Sequence, residues 1–184
     1  MKNKDIYDLI PYVQYEQLLE PRGWEWLFND YTQFPTLDFT DFFVHYTLQS
    51  IRLAPTQEPR IDILDVGCSA GIKSILMAHY TPNASVIGID VSPKSIDLAY
   101  EYKKAYDAYV SNVGYAASSN LSFSVVDLDK PQFFRFPKFD YINIEDTLML
   151  IEKPWEILYE LSLLLKPNGV IRLTYSSCCK VIKW

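Results

Sequence analysis

Four short, mainly apolar runs in this chain each lead into a carboxylate, and that recurrence limits the fold more than any other feature. They are Ile61 to Asp65, Ser85 to Asp90, Leu121 to Asp127 and Phe139 to Glu145. Apolar strands separated by segments long enough for helices belong to a mostly parallel sheet covered on both faces. In such sheets ligands sit outside the carboxyl ends of the strands, so acids placed there converge on one crevice.

The first run opens into a glycine-rich turn, I-D-I-L-D-V-G-C-S-A-G from Ile61 to Gly71. A strand, a tight turn and a following helix bring backbone N–H groups close to a polar or anionic ligand. A dinucleotide fingerprint needs G-x-G-x-x-G, and from Gly67 onward only the first glycine falls in place. A phosphate loop is a nearer miss, because Lys73 and Ser74 stand at the right distance from Gly67. Ile72, however, occupies its second glycine, where a β-branched residue is costly at positive φ.

The spacing Asp65, Gly67, Ser69, Gly71 resembles the first motif of class I S-adenosylmethionine-dependent methyltransferases, with Ser69 in place of the commoner middle glycine. The resemblance implies that the turn, Cys68 included, wraps the methionine end of the cofactor and that Asp65 helps to hold its amino group. Asp90 falls about twenty residues after the turn, where an acid accepting both ribose hydroxyls is expected. Val91-Ser92-Pro93 then starts a helix, with Ser92 as N-cap and Pro93 at the first helical position. V-S-P-K-S-I-D-L-A is also typical of the family at this point. By the same resemblance Val91 belongs to the cofactor site, Asp127 and the backbone of Leu128 border the adenine, and Glu145 and Asp146 face the methyl group and substrate. Each of these acids has a plainer alternative as a helix cap or a solvated loop residue.

Beyond the fourth strand, Leu148 to Leu165 carries Leu148, Ile151, Trp155, Leu158, Leu161 and Leu165 at three- to four-residue spacing. This pattern predicts an amphipathic helix interrupted or restarted at Pro154. Lys166-Pro167-Asn168-Gly169 reads as a turn, with Asn168 tolerating positive φ, and Val170 to Thr174 as a fifth strand. L-L-K-P-N-G-V-I-R-L resembles the family's stretch before that strand. The family usually continues into a sixth and a seventh strand, whereas this sequence runs only ten residues past Thr174. An open strand-five edge is therefore expected, with self-association or a covering partner.

The D/N-P-P-Y/F motif of amide and amine methylation is absent after strand four, where the chain reads Asn143-Ile144-Glu145-Asp146. The catalytic base is unknown from sequence, with Glu145 and Asp146 as weak candidates. Methyl transfer needs little covalent help, because the cofactor brings the activated group.

With 184 residues, 49% of them hydrophobic, the chain can bury one main core. A net charge of −6 offers no general attraction for phosphate backbones, so nucleic-acid partners are not expected. Cys68, Cys178 and Cys179 have neither zinc spacing nor an even disulfide framework, which points to a reducing, cytoplasmic setting and no metal. Cys68 reads as a small apolar filler, and His45 and His79 as helix residues. No secretory signal opens the chain and no run is long enough to span a membrane.

Residues 1–60 hold twelve of the 28 aromatic residues, among them Trp24, Trp26, Phe28, Tyr31, Phe34, Phe39, Phe42, Phe43 and Tyr46. Thr40 to Leu53 predicts a helix. The resemblance implies a helical lid over cofactor and substrate, with Tyr12 and Tyr15 as candidate cofactor contacts; packing against the sheet is the alternative for any one aromatic.

The expected architecture is a doubly wound α/β domain over 61–184, strand order 3-2-1-4-5, without strands six and seven, behind a helical cap over 1–60. The expected activity is S-adenosylmethionine-dependent methyl transfer to a small molecule. A non-catalytic cofactor-binding module or fragment of a larger enzyme is the alternative, and an NAD-dependent oxidoreductase the weaker one.

Overall fold

The computed structural model describes residues 16–25, 60–114, 120–130 and 136–174. Five strands form one parallel sheet: β1 (Ile61–Val66), β2 (Ala84–Asp90), β3 (Leu121–Val125), β4 (Phe139–Glu145) and β5 (Leu165–Thr174), in the order β3-β2-β1-β4-β5. Among the described residues three helices connect them: α1 (Ile72–Tyr80), α2 (Pro93–Asn112) and α3 (Pro154–Ser162). The doubly wound order expected from the sequence is the one observed. Order reverses between β1 and β4, which pair from Ile63↔Tyr141 to Val66↔Ile144, so the switch-point crevice lies above β1.

Side chains alternate across a strand, and each face of this sheet has its own core. Ile63, Val86, Leu121, Phe123 and Tyr141 pack with Ile75 of α1 and with Ala99, Tyr102 and Tyr106 of α2. Leu64, Val66, Ile89, Ile142 and Ile144 pack on the other side with Leu148, Ile157 and Leu161. Helix α2 begins as its sequence predicts: the Ser92 hydroxyl accepts from the Ser95 N–H at 3.2 Å, and Pro93 opens the first turn.

The stretch from Leu148 to Leu165 departs from the expected amphipathic helix. Leu148–Leu150 is a single 3-10 turn, Ile151 is extended, and α3 runs only from Pro154 to Ser162. Pro154 cannot donate into a preceding turn, so it starts a helix rather than kinking one. Trp155 consequently stands 77% exposed, off the buried face that Ile157 and Leu161 define, and Leu165 belongs to β5.

The turn expected at 166–169 is instead part of the fifth strand, which begins at Leu165 rather than Val170 and carries a bulge there. Phe139 pairs with Leu165 and Tyr141 with Val170, so the intervening residues bulge out of the ladder, and Asn168 takes φ 65 at the bulge.

Of the region before Arg60, a 3-10 turn at Glu16–Leu19 is followed by Trp24, whose ring stands edge-on to Tyr106 of α2 at 5.2 Å. Leu18 and Trp24 are buried in the α1/α2 core, so for Trp24 packing describes the environment. Tyr12, Tyr15, the helix expected over Thr40 to Leu53 and the remaining aromatics before Arg60 lie outside the described residues, as do His45, Cys178 and Cys179. Among the described residues no helix is long and apolar enough to cross a membrane.

Candidate functional site

The turn after β1 takes positive φ at Gly67 (73), Ser69 (50) and Gly71 (75), which folds it back over the sheet. At Gly67 a side chain is excluded by a neighbour: a Cβ there would meet Thr147 Oγ1 at 1.9 Å. Thr147 lies just past β4, and its hydroxyl sits 3.1 Å from the Val66 carbonyl and 3.0 Å from that of Glu145, tying the exit of β4 to the start of the turn.

Backbone bonds join the turn to the end of β2. The N–H groups of Gly67 and Cys68 both donate to the Ile89 carbonyl, at 2.8 and 3.0 Å. The Ser69 N–H donates to Asp90 Oδ2 at 2.9 Å, and the Ser92 N–H to Asp90 Oδ1 at 2.9 Å. The Val126 N–H donates to the Asp90 carbonyl at 2.8 Å, which brings Asp127 and Leu128 to the same rim, and half-buried Val91 follows Asp90 there. The Asp90 carboxylate is thus held in a fixed orientation at the mouth of the turn, where its charge suits hydroxyl donors such as those of a ribose.

The other expected residues divide. The Asp127 carboxylate accepts from the Asp129 N–H at 3.2 Å and pairs with Lys130 at 3.0 Å, the environment of a loop acid. The Leu128 side chain packs on the β4/α3 core. Glu145 pairs with Lys73 of α1 through one oxygen and approaches Arg172 at 3.8 Å with the other, so two cations already face it. Asp146 has φ 52, and its N–H donates to the Thr174 carbonyl at 3.1 Å. Cys68 is buried, and burial pushes its thiol well above the ordinary value, with Asp65 and Asp90 adding to the effect. A buried thiol raised in this way is a poor nucleophile.

Asp65 is 3% exposed beneath the turn. Its Oδ2 accepts from the Ser74 hydroxyl at 2.6 Å and its Oδ1 from Asn143 Nδ2 at 2.8 Å. Burial pushes this carboxyl up, while the bonds from Asn143 and Ser74 and the charge of Lys73 pull it down. Asn143, Ser74, Thr147 and Arg172 were not singled out as site residues by motif, since motifs register the turn and not what stands under it. The available signal was local: Asn143 stands between Ile142 and Ile144, and Arg172 between Ile171 and Leu173, each a polar residue flanked by apolar ones within its strand. Among the described residues no group of three or more His, Cys, Asp or Glu could hold a metal ion.

Residues 57–182 match the family described as Methyltransferase domain. An uncharacterized protein of Rickettsia prowazekii is 28% identical over 80% of this chain and 57% of its own length. The mitochondrial ubiquinone biosynthesis O-methyltransferase of Schizosaccharomyces pombe is 30% identical over 65% of this chain and 39% of its own. The chain therefore spans little more than half of the first relative and well under half of the second. Among solved structures, PKMT2 of Rickettsia typhi in complex with AdoHcy superposes with a TM-score of 0.52 at 26% identity, over 67% of this chain and 23% of that one. The glycine turn beside a strand-end acid, the β3-β2-β1-β4-β5 sheet and the match over 57–182 place this chain among the class I S-adenosylmethionine-dependent methyltransferases, to which it belongs.

Proposed function

We propose that this domain binds S-adenosylmethionine in the crevice bounded by the Gly67–Gly71 turn, Asp90 and the Asp127–Leu128 rim, and that it serves methyl transfer to a small-molecule acceptor. One observation carries the reading of the site: the Asp90 carboxylate is held by the Ser69 and Ser92 N–H groups at the mouth of the glycine turn, which fixes an acid at the end of β2 beside that turn. When bound, the cofactor supplies an activated methyl group on a sulfonium. What the chain contributes is position. The turn closes on the methionine end, Asp90 accepts the ribose hydroxyls, and Asp65 stands below the turn as the nearest buried carboxylate.

Glu145 is held by Lys73 and Arg172, which suits it to shaping the crevice wall rather than to accepting a proton from the acceptor. The similarity to an O-methyltransferase of ubiquinone biosynthesis supports a small molecule, with oxygen as the receiving atom. The NAD-dependent alternative is not favoured, since the glycine spacing departs from the dinucleotide fingerprint.

Isothermal calorimetry with S-adenosylmethionine, S-adenosylhomocysteine and NAD tests the site directly. Binding of both adenosyl compounds and no response to NAD is expected. Binding of NAD without either adenosyl compound overturns the proposal.

A further inference from the structure

Asp65, Asn143 and Arg172 occupy one rung of the sheet. Asp65 is the register partner of Asn143 on β4, and Asn143 that of Arg172 on β5. Their side chains are linked in the same order: Arg172 Nη1 donates to Asn143 Oδ1 at 2.9 Å, and Asn143 Nδ2 donates to Asp65 Oδ1 at 2.8 Å. Asn143 is fully buried and the Arg172 side chain only 11% exposed. An arginine has donors and no acceptor. Arg172 can therefore only be met by the amide oxygen of Asn143, and the amide nitrogen is thereby turned toward Asp65. The orientation of one buried amide is fixed from the outer strand.

We propose that Asn143 and Arg172 are positioning residues for the cofactor site, a relay that presents a hydrogen-bond donor to Asp65 and holds its carboxylate aligned under the glycine turn. This rests on the reading of that turn as the cofactor site. Desolvation works against ionisation here, and in a buried network each satisfied member matters more than its surface equivalent. The charged and titratable groups that bear on Asp65 are Lys73 from α1, Glu145 from β4 and the Cys68 thiol in the turn, with Arg172 from β5 reaching it through Asn143. Of these, Lys73 lowers and Glu145 raises the Asp65 carboxyl. Removing the Asn143 donor deletes the largest influence that opposes burial, so the acid protonates at higher pH and the cofactor loses a negative partner.

The test is S-adenosylhomocysteine affinity as a function of pH for the full chain, Asn143→Leu and Arg172→Gln. Arg172→Gln keeps Asn143 itself in the core, which guards against a fold lost by Asn143→Leu, and because a glutamine amide can accept as well as donate it no longer forces the Asn143 nitrogen toward Asp65. Both variants are expected to bind roughly tenfold more weakly at neutral pH, with the acid limb of the affinity profile moved upward. A purely structural role would lower the melting temperature and leave the shape of that profile unchanged. Variants that bind with the parent's affinity and profile overturn this inference alone. A parent chain with no affinity at any pH overturns the cofactor reading and this inference together.

Discussion

The backbone N–H of Ser69 donates to Asp90 Oδ2 at 2.9 Å, so the glycine turn and the acid at the end of β2, 21 residues apart, form one rigid unit. Asp90 therefore has two duties that substitution separates. Asp90→Ala is expected to weaken S-adenosylhomocysteine binding by about 1.5 to 3 kcal/mol, the range for charge-assisted hydrogen bonds. It also removes the acceptor for the Ser92 N–H, costing about 1 kcal/mol or more of stability. Calorimetry and thermal melting read the two losses separately. A lowered melting temperature with unchanged affinity shows that Asp90 only braces the turn.

Gly67→Ala is expected to destabilise the domain by about 1 to 3 kcal/mol, since the residue has φ 73 and its new methyl would overlap Thr147. Gly67→Ala combined with Thr147→Ala relieves most of the overlap and leaves the backbone strain. The double variant should then be more stable than the sum of the single effects predicts. Strict additivity in a double-mutant cycle measured by urea unfolding counts against the contact.

Lys166 emerges from the β5 bulge to reach Asp62 and Asp140, each at 2.8 Å, and the Asp62 N–H donates to the same Asp140 oxygen at 2.8 Å. Lys166→Met is expected to cost about 1 to 3 kcal/mol at pH 7, because it leaves the buried Asp140 carboxylate without its cation. The bonds to Asp140 and then Asp62 raise the Lys166 ammonium above its ordinary value. Its contribution is therefore complete below the unfolded lysine value of about 10.4 and lost as pH rises through the folded one. Urea midpoints of parent and variant should converge above that range; a gap that persists there excludes the charge as its cause.

His79, near the end of α1, lies 2.8 Å from the Tyr106 hydroxyl, and its half-buried ring has its imidazole value lowered by burial. The unfolded chain thus takes up a proton more readily than the folded one. The stability tied to His79 is complete above the unfolded value of about 6.5 and declines as pH falls from there through the lower folded value. His79→Gln should flatten that part of the stability profile. An unchanged slope between pH 7 and 5 would falsify the assignment.

The sheet order, the turn and the capping of α2 were legible because each is written in local chemistry: apolar runs of strand length, glycine spacing, and Ser92 before Pro93. The helix over Leu148 to Leu165 was misread because spacing alone took Trp155 for a buried residue, whereas Pro154 restarts the chain and rotates the apolar stripe onto Ile157 and Leu161. The setting of Asp65 was not legible either. Ser74, Asn143 and Arg172 lie 9, 78 and 107 residues beyond it, and only the pairing of strands makes them neighbours. Asp127 shows the limit from the other side: its place after β3 fits the family, yet the carboxylate itself is met by the Asp129 N–H and Lys130.

The bulge between Leu165 and Val170 has a consequence for how β5 finds its place during folding. With three surplus residues taken out of the ladder there, Arg172 arrives opposite Asn143. A slip of one residue would turn every side chain to the opposite face and drive the guanidinium in among Ile142, Ile144 and Leu161. A misaligned sheet would have to desolvate that cation among apolar side chains, so the arginine sets the slipped register at a disadvantage against the native one.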